Sequence, residues 1–192
     1  FFNKKIKNYR ISNFDQKINS LKKFGVDFLI NKKFDKRFSK ITSDIFIKNI
    51  LSKQLSAKYI FVSNNFRFGY KREGDIKSLN YFQSAYNYKL VIPKPLKNKN
   101  KIISSTYIRN LLEKGYLDQA NNLLRRNWAI EGIVEKGRQL GKKIGFPTCN
   151  INLGSYVIAK PGVYAVKVFI NKSRKIYKGI ANLGFRPTFN QK

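Results

Sequence analysis

The hydrophobic period of this 192-residue chain changes once, between Leu124 and Asn127. Upstream, apolar residues recur at helical spacing between short apolar runs; downstream they alternate one by one. A period near 3.6 and a period of 2 belong to different elements, so the change predicts an α/β part followed by an all-β part. In the first part Phe14, Ile18, Leu21 and Phe24 form a helical stripe, which Gly25 ends before a strand over Val26–Ile30. Ser43 is placed to cap a second helix carrying Phe46, Ile47, Ile50 and Leu51, and Tyr59–Val62 reads as a buried strand. A third helix near Ile76–Tyr86, with Leu79 and Phe82 inside, leads to a strand over Lys89–Ile92 that stops at Pro93. Strands alternating with helices predict a parallel, doubly wound sheet. In the second part Ala129–Val134 reads as a strand, and Tyr164, Val166, Val168 and Ile170 share one face. Asn171–Ser173 is expected to turn the chain into a returning strand over Ile176–Ile180.

Composition narrows the function classes. At 42% hydrophobic, the chain can bury one sizeable core or two small ones. A single cysteine, Cys149, excludes an intrachain disulfide and suits a reducing compartment. No apolar run approaches the roughly 18 residues of a membrane span, so a cytoplasmic protein without a membrane partner is the expectation. The chain holds no His and no Met and opens on Phe1, which reads as a processed or partial chain without imidazole chemistry. Its net charge of +30 invites a nucleic-acid partner. Yet the lysines are scattered, and they accompany abundant Asn, Ile, Phe and Tyr, the residues that A- and T-rich codons encode. A solvated basic surface explains that set better than a dedicated nucleic-acid face.

Three constellations could carry chemistry. Ser104, Ser105 and Thr106 lead into a helix with Ile108, Leu111 and Leu112 on its inner face, Arg109 one turn in, and Gly115 at its end. Free N–H groups, hydroxyls and a guanidinium outline a phosphate site; an ordinary serine cap with a surface arginine is the alternative. Asn65, Phe66, Arg67 and Phe68 follow the strand Tyr59–Val62, where two aromatic rings and an amide suit a flat ligand, or where the rings are simply core. Gly132, Gly137, Gly141 and Gly145 precede Phe146-Pro147-Thr148, a loop in which bare backbone could approach phosphate oxygens. Thr148 and Asn150, two apart on a strand, would present hard oxygen ligands for Mg²⁺; a glycine-rich hairpin loop is the plainer account.

Taken in order, Asn65-Phe66-Arg67-Phe68-Gly69, Ser104-Ser105-Thr106 with Arg109, Gly145-Phe146-Pro147-Thr148-Cys149-Asn150, Gly162-Val163-Tyr164 and Asn182-Leu183-Gly184-Phe185-Arg186-Pro187-Thr188 resemble the bacterial bifunctional riboflavin kinase/FMN adenylyltransferase family. The resemblance implies a Rossmann-like nucleotidyltransferase domain over residues 1–124 that makes FAD from FMN and ATP. It implies a β-barrel over residues 125–192 that phosphorylates riboflavin. It further implies ATP-phosphate contacts from Ser104, Ser105, Thr106 and Arg109, and a flavin side shaped by Asn65, Phe66 and Phe68. In the kinase module Gly137, Gly141, Gly145, Thr148 and Asn150 would hold ATP, with Thr148 and Asn150 on Mg²⁺.

Departures from the family bear on activity. The family's His-x-Gly-His motif is expected before Phe1 and its kinase base, a Glu, after Lys192, so no catalytic residue is assigned and both domains read as incomplete. This chain is then expected to have little of either activity. Two other readings remain: a basic nucleic-acid-binding module, and a nucleotidyltransferase whose barrel is only structural. A homo-oligomer is left open.

Overall fold

Asn13 starts the first helix, α1 (Phe14–Lys23), through a reciprocal cap: its side chain accepts from the Gln16 amide at 2.7 Å, while Gln16 Oε1 accepts from the Asn13 amide at 3.0 Å. The computed structural model describes residues 8–136, 145, 148–170 and 175–184. It divides into two compact units, one joining Phe1–Asp27 with Lys101–Lys192, the other Phe28–Asn100.

The first unit contains α1, β4 (Lys101–Ile102), α5 (Ser105–Glu113), α6 (Leu117–Leu124) and the strands β5 (Val134–Glu135), β6 (Asn150–Ile151), β7 (Gly162–Phe169) and β8 (Ile176–Leu183). The second contains α2 (Ser43–Ile45), which continues as a π-helical stretch Phe46–Gln54, then β1 (Tyr59–Phe61), α3 (Ile76–Tyr81), α4 (Gln83–Tyr86), β2 (Lys89–Val91) and β3 (Lys97–Asn98).

Ile108, Leu111 and Leu112 lie on one face of α5 and are buried against Ala120, Val157 and Ala159. This is the stripe the spacing predicts, and Gly115, at φ +81°, closes the helix by donating to the Leu112 carbonyl at 2.9 Å. The tail of the chain packs here as well: the Lys160 amide donates to the same carbonyl at 3.0 Å, and Leu183 of β8 packs against the cluster.

In the second unit β1 and β2 pair in parallel with Tyr59 opposite Lys89 and Phe61 opposite Val91, joined through α3 and α4. The expected doubly wound sheet is, among the described residues, this one parallel pair. Ile60 alone of β1 is buried, with Tyr59 and Phe61 exposed, so the strand covers one face and not two. Its core is Ile47, Ile60, Phe68, Leu79 and Tyr88.

Several expectations are corrected. Val26–Ile30 forms no strand, and Phe28 is 88% exposed. β-branched and aromatic residues favour a pleated surface only when a neighbouring strand takes their backbone hydrogen bonds, and none does here. Thr42 caps α2, not Ser43, which is the first helical residue. The helix expected over Ile76–Tyr86 breaks at Phe82, whose φ −87° and ψ 1° leave helical geometry. The stripe of α1 stays at the surface at Phe14 and Phe24, and its buried residue is the polar Gln16.

Downstream, only Val134 of the expected Ala129–Val134 strand belongs to a strand; with Glu135 it pairs antiparallel with Ile151 and Asn150. β7 and β8 pair antiparallel along their full lengths, with half-buried Tyr164, Val166 and Val168 alternating with exposed neighbours. Ile170 falls past the strand end and is exposed. The turn Asn171–Ser173 lies outside the described residues. The described strands form two-stranded ladders and no closed barrel.

Tyr88 carries a pH prediction. Its hydroxyl donates to the Leu79 carbonyl in the second core, and burial pushes the phenol up to about 12. The folded pKa lies above the unfolded one near 10, so the unfolded chain loses this proton first as pH rises. Its stabilisation is complete below pH about 10 and is lost through about 12. Urea unfolding of the Tyr88→Phe chain will show a smaller alkaline loss over that window; an unchanged slope refutes the assignment.

Candidate functional site

The N-terminus of α5 faces a pocket of about 350 Å³ lined by Tyr9, Arg10, Ile11, Ser12, Lys17, Ser20, Ser105, Arg109 and Arg126. Four cations, three serines and Tyr9 line it, with no carboxylate. Ser104 caps the helix by accepting from the Tyr107 amide at 3.2 Å, which leaves the Ser105 and Thr106 amides as the unpaired donors of the first turn. Arg109 is steadied from two sides: one guanidinium nitrogen donates to Thr106 Oγ1 at 3.0 Å, another to the Tyr9 carbonyl at 3.5 Å. Of the residues expected here, Ser105 and Arg109 line the pocket, while Ser104 and Thr106 hold the helix and the guanidinium in place.

Residues distant in sequence complete it. Backbone bonds from Tyr9 and Arg10 to the Ser155 carbonyl, and from Val157 to the Arg10 carbonyl at 2.8 Å, tie residues 9–10 to the tail of the chain. Arg126 donates to Ser12 Oγ at 2.6 Å and to the Asn127 carbonyl at 3.2 Å. Trp128 Nε1 donates to the Ile11 carbonyl at 2.9 Å. Beneath α1, Gln16 Nε2 donates to the Ala129 carbonyl at 3.0 Å and Gln16 Oε1 accepts from the Tyr156 hydroxyl at 2.9 Å. Burial pushes the Tyr156 phenol above its ordinary pKa, so it stays a donor through neutral pH. Arg10, Ser12, Lys17, Ser20 and Arg126 are the residues the sequence reading missed. Lys17 and Ser20, three apart on α1, and Arg126, at the change of period, were visible there only as solvated polar positions.

In the second unit Phe68 is buried against Phe46, and Phe66 stacks on Phe68 with centroids 5.5 Å apart and planes 18° apart. The core reading of Phe68 holds. Asn65 is exposed and accepts at Oδ1 from Ser63 Oγ at 2.8 Å.

Of the glycine loop, Gly145 has φ +82° and open space around it, whereas Gly137 and Gly141 lie outside the described residues, as does Arg186-Pro187-Thr188. Thr148 and Asn150 are exposed, and Asn150 sits opposite Glu135 in the β5–β6 register.

Comparison with known proteins follows this division of features. The family model for FAD synthetase matches residues 1–107, and that for riboflavin kinase matches residues 124–192. A bifunctional riboflavin kinase/FMN adenylyltransferase of Buchnera aphidicola subsp. Schizaphis graminum is 38% identical over 192 residues, covering 98% of this chain and 61% of that protein. The Escherichia coli K12 protein of the same name is 37% identical over 179 residues, covering 93% of this chain and 57% of its own. This chain thus spans about three fifths of the length of these relatives. A crystal structure described as a macrolide-efflux protein from Streptococcus pneumoniae matches with a TM-score of 0.78 at 29% identity, over 93% of this chain and 57% of that one. Efflux belongs to that protein's name; among the described residues here no helix is long and apolar enough to cross a membrane. With more than half of its length matched by the first family model, the chain belongs to the FAD synthetase family.

Proposed function

We propose that the protein to which this chain belongs makes flavin cofactors, phosphorylating riboflavin to FMN with ATP and adenylylating FMN to FAD. The observation that carries this reading is the carboxylate-free, four-cation pocket at the start of α5, which suits the phosphates of ATP. Residues 1–124 are read as a Rossmann-like nucleotidyltransferase domain, supported by the parallel β1–β2 crossover, and residues 125–192 as a riboflavin-kinase-like barrel, supported by its antiparallel pairs. No finding favours a nucleic-acid-binding module.

In the first domain the Ser105 and Thr106 amides and Arg109 would grip ATP phosphates, Ser104 would fix those amides, and Thr106 would aim Arg109. Asn65 and Phe66 would flank the flavin, with Phe68 holding Phe66 from the core side. In the second domain Gly137, Gly141 and Gly145 would let backbone approach ATP. The donor set there fits Mg²⁺: a hydroxyl and an amide oxygen, both exposed, with the Glu135 carboxylate opposite Asn150. Thr148 and Asn150 would hold the cation, which when bound neutralises phosphate charge.

Calorimetric titration of ATP tests the phosphate assignment. The folded chain binds ATP saturably at moderate salt, and Arg109→Gln weakens binding about tenfold to hundredfold, the worth of a charge-assisted contact. Equal affinity in the two chains, or no binding by either, removes the assignment. FMN fluorescence with and without ATP then reports the flavin side.

A further inference from the structure

Four positive side chains around one concavity repel each other unless an anion stands among them. Among the described residues Arg67 pairs with Asp75, whereas Arg10, Lys17, Arg109 and Arg126 show no carboxylate partner and share a lining without one. Arg126 is half-buried and anchored, but by neutral oxygens, Ser12 Oγ and the Asn127 carbonyl. Those bonds aim the guanidinium without neutralising it and leave donors of its five free. Arg10 comes from the segment before α1, Lys17 from α1, Ser105 with Arg109 from α5 and Arg126 from the segment after α6, so the cations reach the pocket from four parts of the chain. The free Ser105 and Thr106 amides and the Arg109 guanidinium supply donors enough for one phosphate.

We infer that Lys17 and Arg126 bind a phosphoryl group beyond the one held by Ser105 and Arg109, so that the pocket grips a polyphosphate chain rather than a single phosphate. This rests on the phosphate reading of the pocket. The roughly 350 Å³ volume lies within the range of small-molecule sites.

The test is calorimetric titration of inorganic phosphate, pyrophosphate and tripolyphosphate into the chain and into Lys17→Gln, Arg126→Gln and Arg109→Gln. Trp128 fluorescence, set by the indole bond to Ile11, checks that each variant is folded. Affinity of the parent chain is expected to rise steeply with phosphate number. Lys17→Gln and Arg126→Gln each lose about tenfold or more on tripolyphosphate and little on monophosphate. Arg109→Gln weakens all three. If Lys17→Gln and Arg126→Gln bind like the parent while Arg109→Gln is weak, the inference fails and the phosphate reading stands. Equal loss on all three anions in both variants marks a structural role and also overturns it. A parent chain that binds none of the anions overturns both. Lys17 is exposed, so its variant carries the test even if Arg126→Gln does not fold.

Discussion

Replacing Gln16 by leucine will destabilise the first unit by about 3 kcal/mol, the cost of leaving several buried polar groups without partners. Gln16 is 7% exposed, and its amide serves three groups: the Ala129 carbonyl, the Asn13 amide and the Tyr156 hydroxyl. The Tyr156 hydroxyl in turn accepts from the Glu131 amide at 3.2 Å. Leucine matches the volume but none of the side-chain bonds, so α1 keeps the Asn13 cap on the residue-16 amide but loses the reciprocal half of it and its tie to residues 129–131. Lys17 and Ser20 ride on that helix, and ATP affinity should fall with stability. Urea unfolding followed by Trp128, the chain's single tryptophan, reads the first unit directly. A double-mutant cycle with Tyr156→Phe should return a coupling of about 1 kcal/mol or more. A loss below about 0.5 kcal/mol, the usual range for a surface change, would mean that water already serves these groups.

That network also shows where the sequence was legible. α5 could be read because its cap Ser104, its apolar face Ile108, Leu111 and Leu112 and its stop Gly115 are all local signals. The phosphate pocket was half legible, through Ser105 and Arg109, for the same reason. Its other half depends on bonds such as Arg126 to Ser12, 114 positions apart, which no window of periodicity spans. Val26–Ile30 failed in the opposite direction. Its residues favour a strand, but a strand is completed by a neighbour's hydrogen bonds, and sequence pattern cannot supply the neighbour. Phe68 was ambiguous because a ring serves a core and a ligand face equally well until its neighbours are known, and here they are Phe46 and Phe66.

Placing alanine at Gly69 will cost the second unit about 4 kcal/mol, combining backbone strain with collision in a packed turn. Gly69 has φ +75° and ψ 179°, a region essentially reserved for glycine. A Cβ there would stand 2.6 Å from the Ser43 amide nitrogen and 2.9 Å from Ser43 Cα. Both are backbone atoms that no rotamer change can move. The same Ser43 amide donates to Glu73 Oε1 at 2.8 Å, so displacement also breaks the tie between the start of α2 and the Phe68–Gly74 bridge. Asn65 and Phe66 lie just ahead of that bridge, and FMN binding should weaken with the fold. Gly25→Ala supplies the reference for positive-φ strain without a collision. Gly25 has nearly the same φ, +74°, but nothing within 4 Å of an added Cβ, so it incurs dihedral strain alone, about 1 kcal/mol. Urea unfolding and amide exchange at Ile47 and Leu79 should show a much larger loss for Gly69→Ala than the global loss from Gly25→Ala. Equal losses would mean that strain alone sets the glycine requirement and that the approach of Gly69 to Ser43 contributes nothing.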